Sequence, residues 1–299
     1  LRARGFAEAR LRELLEPPLE PVQPNWWILG GSLVFVVISL SVGLSQLPFG
    51  EEIVFLASFV VIVFLMGRLL RELDGDSRRT LLGTAIVIFV FRAVPGPGAG
   101  STWWMIDALG FDQSFLAKLS LIASVLTLLG LFTFRRFMAE RSIAYIAGFL
   151  TLAGTLLSLP TLGMYYGLHE WTAAHTGGIV DARFIALIDT ALESPLGQIA
   201  MVPMLAWIAN SAPANLKATY FAVMASFTNL ALSASQLGTR YLNQIFEVNR
   251  EVRDPLTNAL TTPADDSQLG SLFMVSIVLG LVLPFAAIWL TRTLKLRSA

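Results

Sequence analysis

The chain has no cysteine in 299 residues. That absence removes structural disulfides, thiolate metal sites and cysteine nucleophiles in one step. Charge is scarce as well: 14% of residues are Asp, Glu, Lys or Arg, where a soluble domain has about a quarter. Catalytic signatures are missing too, since no His-Glu-x-x-His, Gly-x-Ser-x-Gly or Gly-x-x-x-x-Gly-Lys-Ser/Thr pattern occurs. Gly96, Gly98 and Gly100 alternate, but they follow no strand, so a dinucleotide loop is excluded. A net charge of zero leaves no nucleic-acid footprint. No catalytic residue, cofactor or metal is expected.

What is present is apolar. Hydrophobic residues make up 55% of the chain and the mean hydropathy is +0.67, which implies an all-α polytopic membrane protein. Eight runs approach or exceed the roughly 20 residues needed to cross a bilayer: about 26–46, 51–70, 81–109, 115–135, 143–167, 182–210, 217–241 and 269–291. The third and sixth are longer than a crossing requires, which leaves room for tilt or interruption. Residues 1–16 alternate charge with Leu and Ala, and Pro17, Pro18, Pro21 and Pro24 end any helix there. We read residues 1–24 as a cytoplasmic linker from the interior of a longer protein, and 295–299 as a cytoplasmic tail.

Basic residues set the orientation. With a cytoplasmic N-terminal segment, that side collects Arg2, Arg4, Arg10, Arg12, Arg68, Arg71, Arg78, Arg79, Arg135, Arg136, Arg141, Lys217, Arg292, Lys295 and Arg297. The other side receives Lys118, Arg183, Arg240, Arg250 and Arg253. Both termini are therefore expected inside, in an inner or plasma membrane. Two longer loops are expected outside, 168–181 with His169 and His175, and the polar 242–268. The histidines have only Glu170 and Asp181 nearby in sequence, which is thin support for a metal site and reads as a solvated pair.

Polar residues inside the spans carry the functional argument. In the third, Arg92 is followed by Pro95, Gly96, Pro97, Gly98 and Gly100. A guanidinium at mid-membrane is disfavoured by roughly 2.5–3.5 kcal/mol on insertion scales, and each proline removes a backbone donor. Lipid repairs neither, so this face looks into protein or a water-filled cavity; a snorkelling Arg92 above a plain kink is the alternative. In the sixth span, Asp189 and Glu193 stack on one helical face, followed by breaks at Pro195 and Pro203, with Gln198 between. Two ionised carboxylates one turn apart repel, so the pair suits a transported proton or a cationic partner, for which Arg92 is the candidate. A static charge cluster locking helices is the other reading. Deep charges confined to two broken helices match a transporter pattern. The seventh span shows a small polar stripe through Ala222, Ala225, Ser226, Asn229, Ser233 and Gln236. It suits close helix packing, with Asn229 and Gln236 kept as pore-lining candidates.

Phe89-Val-Phe91-Arg92-Ala-Val-Pro95, Ile188-Asp189-Thr-Ala followed by Gly197-Gln198-Ile-Ala-Met-Val-Pro203, and Ala218-Thr-Tyr220-Phe-Ala222 with Ser226-Phe-Thr-Asn229 resemble the folate–biopterin transporter family of the major facilitator superfamily. The stretch Gly130 to Arg141 is similar to that superfamily's basic loop, without the Asp that precedes the basic pair in the fuller pattern. The resemblance implies that residues 79–294 form the C-terminal six-helix half of such a transporter, that 25–73 add two further or central helices, and that an N-terminal half lies outside this chain. It further implies proton-coupled secondary transport of folate- or pterin-type anions by alternating access. Asp189 or Glu193 would meet the ring's amino edge, and Arg92 a glutamate carboxylate. Trp103 and Trp104 read as an interfacial belt or as ring-stacking residues. An assembly factor for pigment–protein complexes on the same fold is the alternative function.

Overall fold

A computed structural model describes residues 26–296 apart from 46, 72, 200, 212–216 and 255. The linker expected over 1–24 and the last three residues of the tail lie outside the described residues.

Two apolar helices, α1 (Trp26–Ser45) and α2 (Gly50–Arg71), come first. They run antiparallel, because Gly31 meets Val61 and Leu65, and Gly50 meets Val42 at the turn. At the far end the Arg68 guanidinium lies 4.4 Å over the Trp27 ring. Next, α3 (Gly75–Arg92) starts at Asp74, whose carboxylate accepts from the Asp76 and Ser77 N–H groups, pairing two donors that a helix start leaves orphaned. It stops at Arg92, and α4 (Ala99–Asp107) begins after the Pro95–Gly98 interruption. Asp112 caps α5 (Gln113–Thr133), which leads through the short α6 (Arg135–Glu140) into α7 (Ile143–Tyr165). After α8 (Leu168–His175), Asp181 caps α9 (Ala182–Glu193); one 3₁₀ turn, Ser194–Leu196, separates it from α10 (Met201–Ser211). The long α11 (Lys217–Ile245) and α12 (Leu269–Thr293) complete the helices, with strands β1 (Val252–Arg253) and β2 (Leu260–Thr262) between them.

Among the described residues, five helical stretches are long and apolar enough to cross a membrane: α2, α5, α7, the interrupted α9–α10 run and α12. The first, third and seventh expected spans coincide with helices that fall short of that mark. The apolar stretch described within α1 is Leu29–Ser45, the third span is divided between α3 and α4, and α11 carries the polar stripe.

Two expectations need correcting. Residues 168–175, read as loop, form α8. The long polar loop is largely ordered, since α11 extends to Ile245 and β1 pairs antiparallel with β2, Val252 facing Thr262. The fold is thus mostly helical with one small ribbon. Its turn is closed by Asp254, which accepts from the N–H groups of Leu256 and Thr257, an Asx device that competes with helix. Arg250 anchors the ribbon to α4 with two 2.8 Å bonds to Asp107.

Buried side chains gather at both ends of the bundle. One cluster joins α2, α3, α10 and α11 around Met66, Leu81, Ile208, Tyr220 and Met224. The other joins α4, α7, α9 and α12 around Trp104, Met164, Leu269, Leu272 and Phe273. Elsewhere large apolar side chains such as Leu128, Phe132, Leu156 and Val282 are exposed, as lipid-facing surfaces are in a membrane bundle. The ion pairs Glu51–Arg240, Asp107–Arg250 and Asp112–Arg183 tie α2 to α11, α4 to the start of the ribbon, and the start of α5 to α9.

Candidate functional site

The first break is repaired by protein. Pro95 and Pro97 supply no N–H, and Gly98 adopts a φ of 74°, open chiefly to glycine, before α4 starts. Three of the backbone groups left without helical partners find them on α11. Ser235 Oγ donates to the Val94 carbonyl at 2.6 Å, and Gly96 N–H donates to Thr239 Oγ1 at 2.9 Å. Asn243 Nδ2 donates to the Pro97 carbonyl at 3.2 Å and to the Thr239 carbonyl at 2.8 Å. Positions 235, 239 and 243 recur every fourth residue and so share one helical face. Gly238 lets the Pro95 ring approach, as a Cβ there would sit 3.1 Å from Pro95 Cβ. This trio was missed from sequence. The fourfold spacing of Ser, Thr and Asn is the signal that would have found it.

The second break docks on α5. Thr127 Oγ1 donates to the Ser194 carbonyl at 2.9 Å, and Gly130 leaves room for Pro195 directly against its backbone. Pro195 lies in the 3₁₀ turn, as expected of a helix break. Pro203 instead occupies the first turn of α10, where a missing donor costs nothing. Gln198 is half-buried in the turn between these segments, its carbonyl accepting from Val202 N–H.

Between the first break, α7, α9 and α12 lies a cavity of about 350 Å³, and both Asp189 and Glu193 line it. Asp189 is half-buried: Oδ2 is 3.5 Å from the Thr161 hydroxyl, while Oδ1 is buried without a hydrogen-bond partner. The hydroxyls of Thr151 and Ser276, on the same walls, are likewise buried and unpartnered. Among the described residues no Lys or Arg lines this space. It is a carboxylate- and hydroxyl-lined compartment suited to a group that brings N–H donors or positive charge.

Arg92 does not face it. It lines a separate small crevice with Ile143, Ile146, Ala147, Pro203 and Met204, and its Nε is buried and unpartnered. Along α7, Ala147 precedes Thr161 by 14 residues, about 21 Å of helix at ~1.5 Å per residue. Among the described residues no ion pair joins Arg92 to Asp189 or Glu193. The expected charge partnership is absent from this conformation, because Arg92 ends α3 with its side chain turned toward the start of α7. Phe91 lines both spaces and stands between them.

Asn229 and Gln236 face a third space, a groove of about 940 Å³ between α11 and the α1–α2 pair, together with Ser226 and Ser233. Trp104 belongs neither to a belt nor to a ligand face. It is buried, with its ring centroid 6.1 Å from that of Phe273 and 5.9 Å from that of Tyr165. His175 rests on Trp171 and bonds its carbonyl through Nδ1 at 2.7 Å. Among the described residues no group of three His, Asp or Glu could hold a metal.

Comparison with known proteins adds an independent line. Over 154 residues the chain is 30% identical to the folate-biopterin transporter of Synechocystis sp., covering 52% of this chain and 30% of that protein. Over 167 residues it is 25% identical to the putative folate transporter 2 of Plasmodium berghei, covering 54% of this chain and 34% of the relative. The chain thus spans about a third of the length of these relatives. No solved structure matches. Residues 75–294 match the profile of the BT1 family, as the motifs around Arg92 and Asp189 implied, and the chain belongs to that family.

Proposed function

We propose that this chain forms one wall of a secondary transporter for folate- or pterin-type solutes. Eight spans, with both termini on the cytoplasmic side of an inner or plasma membrane, would place the Asp189 cavity within the bilayer. An N-terminal half would supply the opposing wall, and access would alternate between the two sides with proton coupling. The observation that carries this reading is the carboxylate pair, Asp189 and Glu193, lining a cavity that is walled by a broken helix and holds no basic side chain among the described residues. The names of the two relatives point to the same solute class.

The chemistry fits at the level of functional groups. A pterin ring presents its 2-amino group beside a ring N–H, and a carboxylate can accept both at once. Asp189, with one oxygen unpartnered, is the acceptor, and the pair it forms with Glu193 one turn on would carry the coupling proton. In the absence of a solute, a proton on either group relieves the repulsion between two close carboxylates. The glutamate tail of a folate needs a cation, which this cavity does not contain. Arg92, outside it, or the missing half would serve.

The test is uptake of radiolabelled pterin and folate into proteoliposomes bearing the intact protein, with and without an inward proton gradient. Asp189→Asn and Glu193→Gln should lower uptake roughly 10- to 100-fold, the range for losing a hydrogen bond to a charged group, with protein level unchanged. No uptake of any pterin or folate by the wild-type protein would overturn the proposal.

A further inference from the structure

Among the described residues nothing on α11 lines the Asp189 cavity, yet α11 holds one of its walls. We infer that Ser235, Thr239 and Asn243 are positioning residues for that cavity, acting through the backbone of the broken helix. This inference rests on the transport reading for its effect on uptake, but not for its geometry.

Pro95, Gly96 and Pro97 form part of the cavity's lining. A segment containing two prolines and two glycines has no helical hydrogen bonds to fix it, so its position is set by whatever pairs its free N–H and C=O groups. Three of them are paired by α11: Val94 C=O by Ser235, Gly96 N–H by Thr239, and Pro97 C=O by Asn243. Three bonds spaced along one helix face fix both the height and the rotation of the segment. Close approach reinforces them. Gly238 has no Cβ to keep Pro95 away, and at Gly98 a Cβ would meet the Asn243 amide at 2.7 Å.

The same part of α11 is tied on its other side to α2. Arg240 bonds Glu51 at 2.8 Å and Tyr241 bonds Glu52 at 2.7 Å. Any displacement of α11 relative to α12 and α7 therefore carries the break, and with it the wall facing Asp189. Residues that never touch the solute then set how well the cavity fits it.

Thr239→Val tests this, because it keeps the shape of the side chain and removes the oxygen that accepts from Gly96. Thr239→Ser retains that oxygen. In proteoliposome uptake by the intact protein, Thr239→Val should raise KM about ten-fold, the consequence of an unpaired donor displacing the segment. The maximal rate should change far less, and Thr239→Ser should stay within about two-fold of wild type. A purely structural role would instead lower the amount of folded transporter and leave KM alone. A second readout needs no transport. This chain has no cysteine, so a single Ser158→Cys probe on the cavity wall, in a background free of other cysteines, reports accessibility through its rate of reaction with a small methanethiosulfonate. That rate should change several-fold on adding Thr239→Val and not on adding Thr239→Ser. If Thr239→Val does not fold, Ser235→Ala, which removes the bond to Val94, makes the same comparison. An inert wild-type protein would sink the transport reading while the labelling rate still decides this one. Unchanged labelling in both oxygen-deleting variants, or a Thr239→Ser variant as altered as Thr239→Val, overturns the inference.

Discussion

Gly130 on α5 and Pro195 in the turn between α9 and α10 meet backbone to backbone: a Cβ on Gly130 would lie 2.6 Å from Pro195 Cα and 2.8 Å from its carbonyl carbon. The obstacle is main chain, so no rotamer change relieves it. Gly130→Ala must push the 194–196 turn away from α5 and strain the Thr127–Ser194 bond. Overpacking of this kind costs about 1–3 kcal/mol. The expected outcome is a lower melting temperature for the detergent-solubilised protein. Gly67→Ala, where a Cβ meets nothing within 4 Å, should melt no lower than wild type, since alanine is the better helix former. Equal melting of the two variants would show that the α5 contact does not hold the turn.

The separation of Arg92 from Asp189 gives a second prediction. Arg92→Ala and Asp189→Asn are each expected to remove most uptake, while His175→Ala, far from both spaces, is silent. A true ion pair would make the double variant little worse than either single one. Here the two groups occupy different spaces, so their effects on kcat/KM should add to within about 0.5 kcal/mol. The swapped pair Arg92→Asp with Asp189→Arg should not recover uptake. Recovery by that swap would mean that the two charges meet in the working cycle.

Much of this layout was legible in the sequence because its signals are local. Helix breaks at Pro95, Pro97 and Pro195 follow from the missing proline N–H, and the stacking of Asp189 on Glu193 follows from helical repeat. The family motifs are also contiguous. Contacts between helices were not legible. Arg92 looked like a partner for Asp189 because both are deep charges, but depth along the chain does not fix which way a long side chain turns. Asn229 and Gln236 were grouped with the same pore on composition, and packing sends them to the α1–α2 side. Conversely, Ser235, Thr239 and Asn243 looked like ordinary small residues until the break they serve was placed beside them. Trp104 joined the core because Tyr165 and Phe273 converge on it from separate helices.

Acid sensitivity at the N-terminal end of α5 follows from Asp112. Its carboxyl lies below the usual range because the Ser114 hydroxyl and the Phe115 N–H donate to it and Arg183 stands at 3.1 Å. A carboxyl lowered in the folded state stabilises that state above its unfolded pKa of about 3.9. That contribution is lost as pH falls through the lower folded value. Melting between pH 6 and pH 3 should therefore fall more steeply for wild type than for Asp112→Asn, which keeps a capping oxygen but does not titrate. Parallel curves would remove Asp112 from the acid response.

The contacts between α2 and α11 differ in their exposure, and salt should separate them. Arg240 and Glu51 pair at 2.8 Å with side chains 44% and 70% exposed, so solvent and counterions reach both charges. Beside them, Glu52 has a side chain only 17% exposed and accepts from the Tyr241 hydroxyl at 2.7 Å. A short bond from a neutral hydroxyl to a largely covered carboxylate does not depend on long-range attraction and is screened little. Glu51→Gln should lower the melting temperature at low ionic strength, and the difference from wild type should close at roughly 1 M salt, where the Debye length is about 3 Å. Tyr241→Phe should leave Glu52 covered but without its donor, and its deficit should persist at the same salt. If both deficits vanish together, the two contacts act as one exposed charge cluster. If only the Tyr241→Phe deficit persists, the covered Glu52–Tyr241 bond is what fastens the first helix pair to α11.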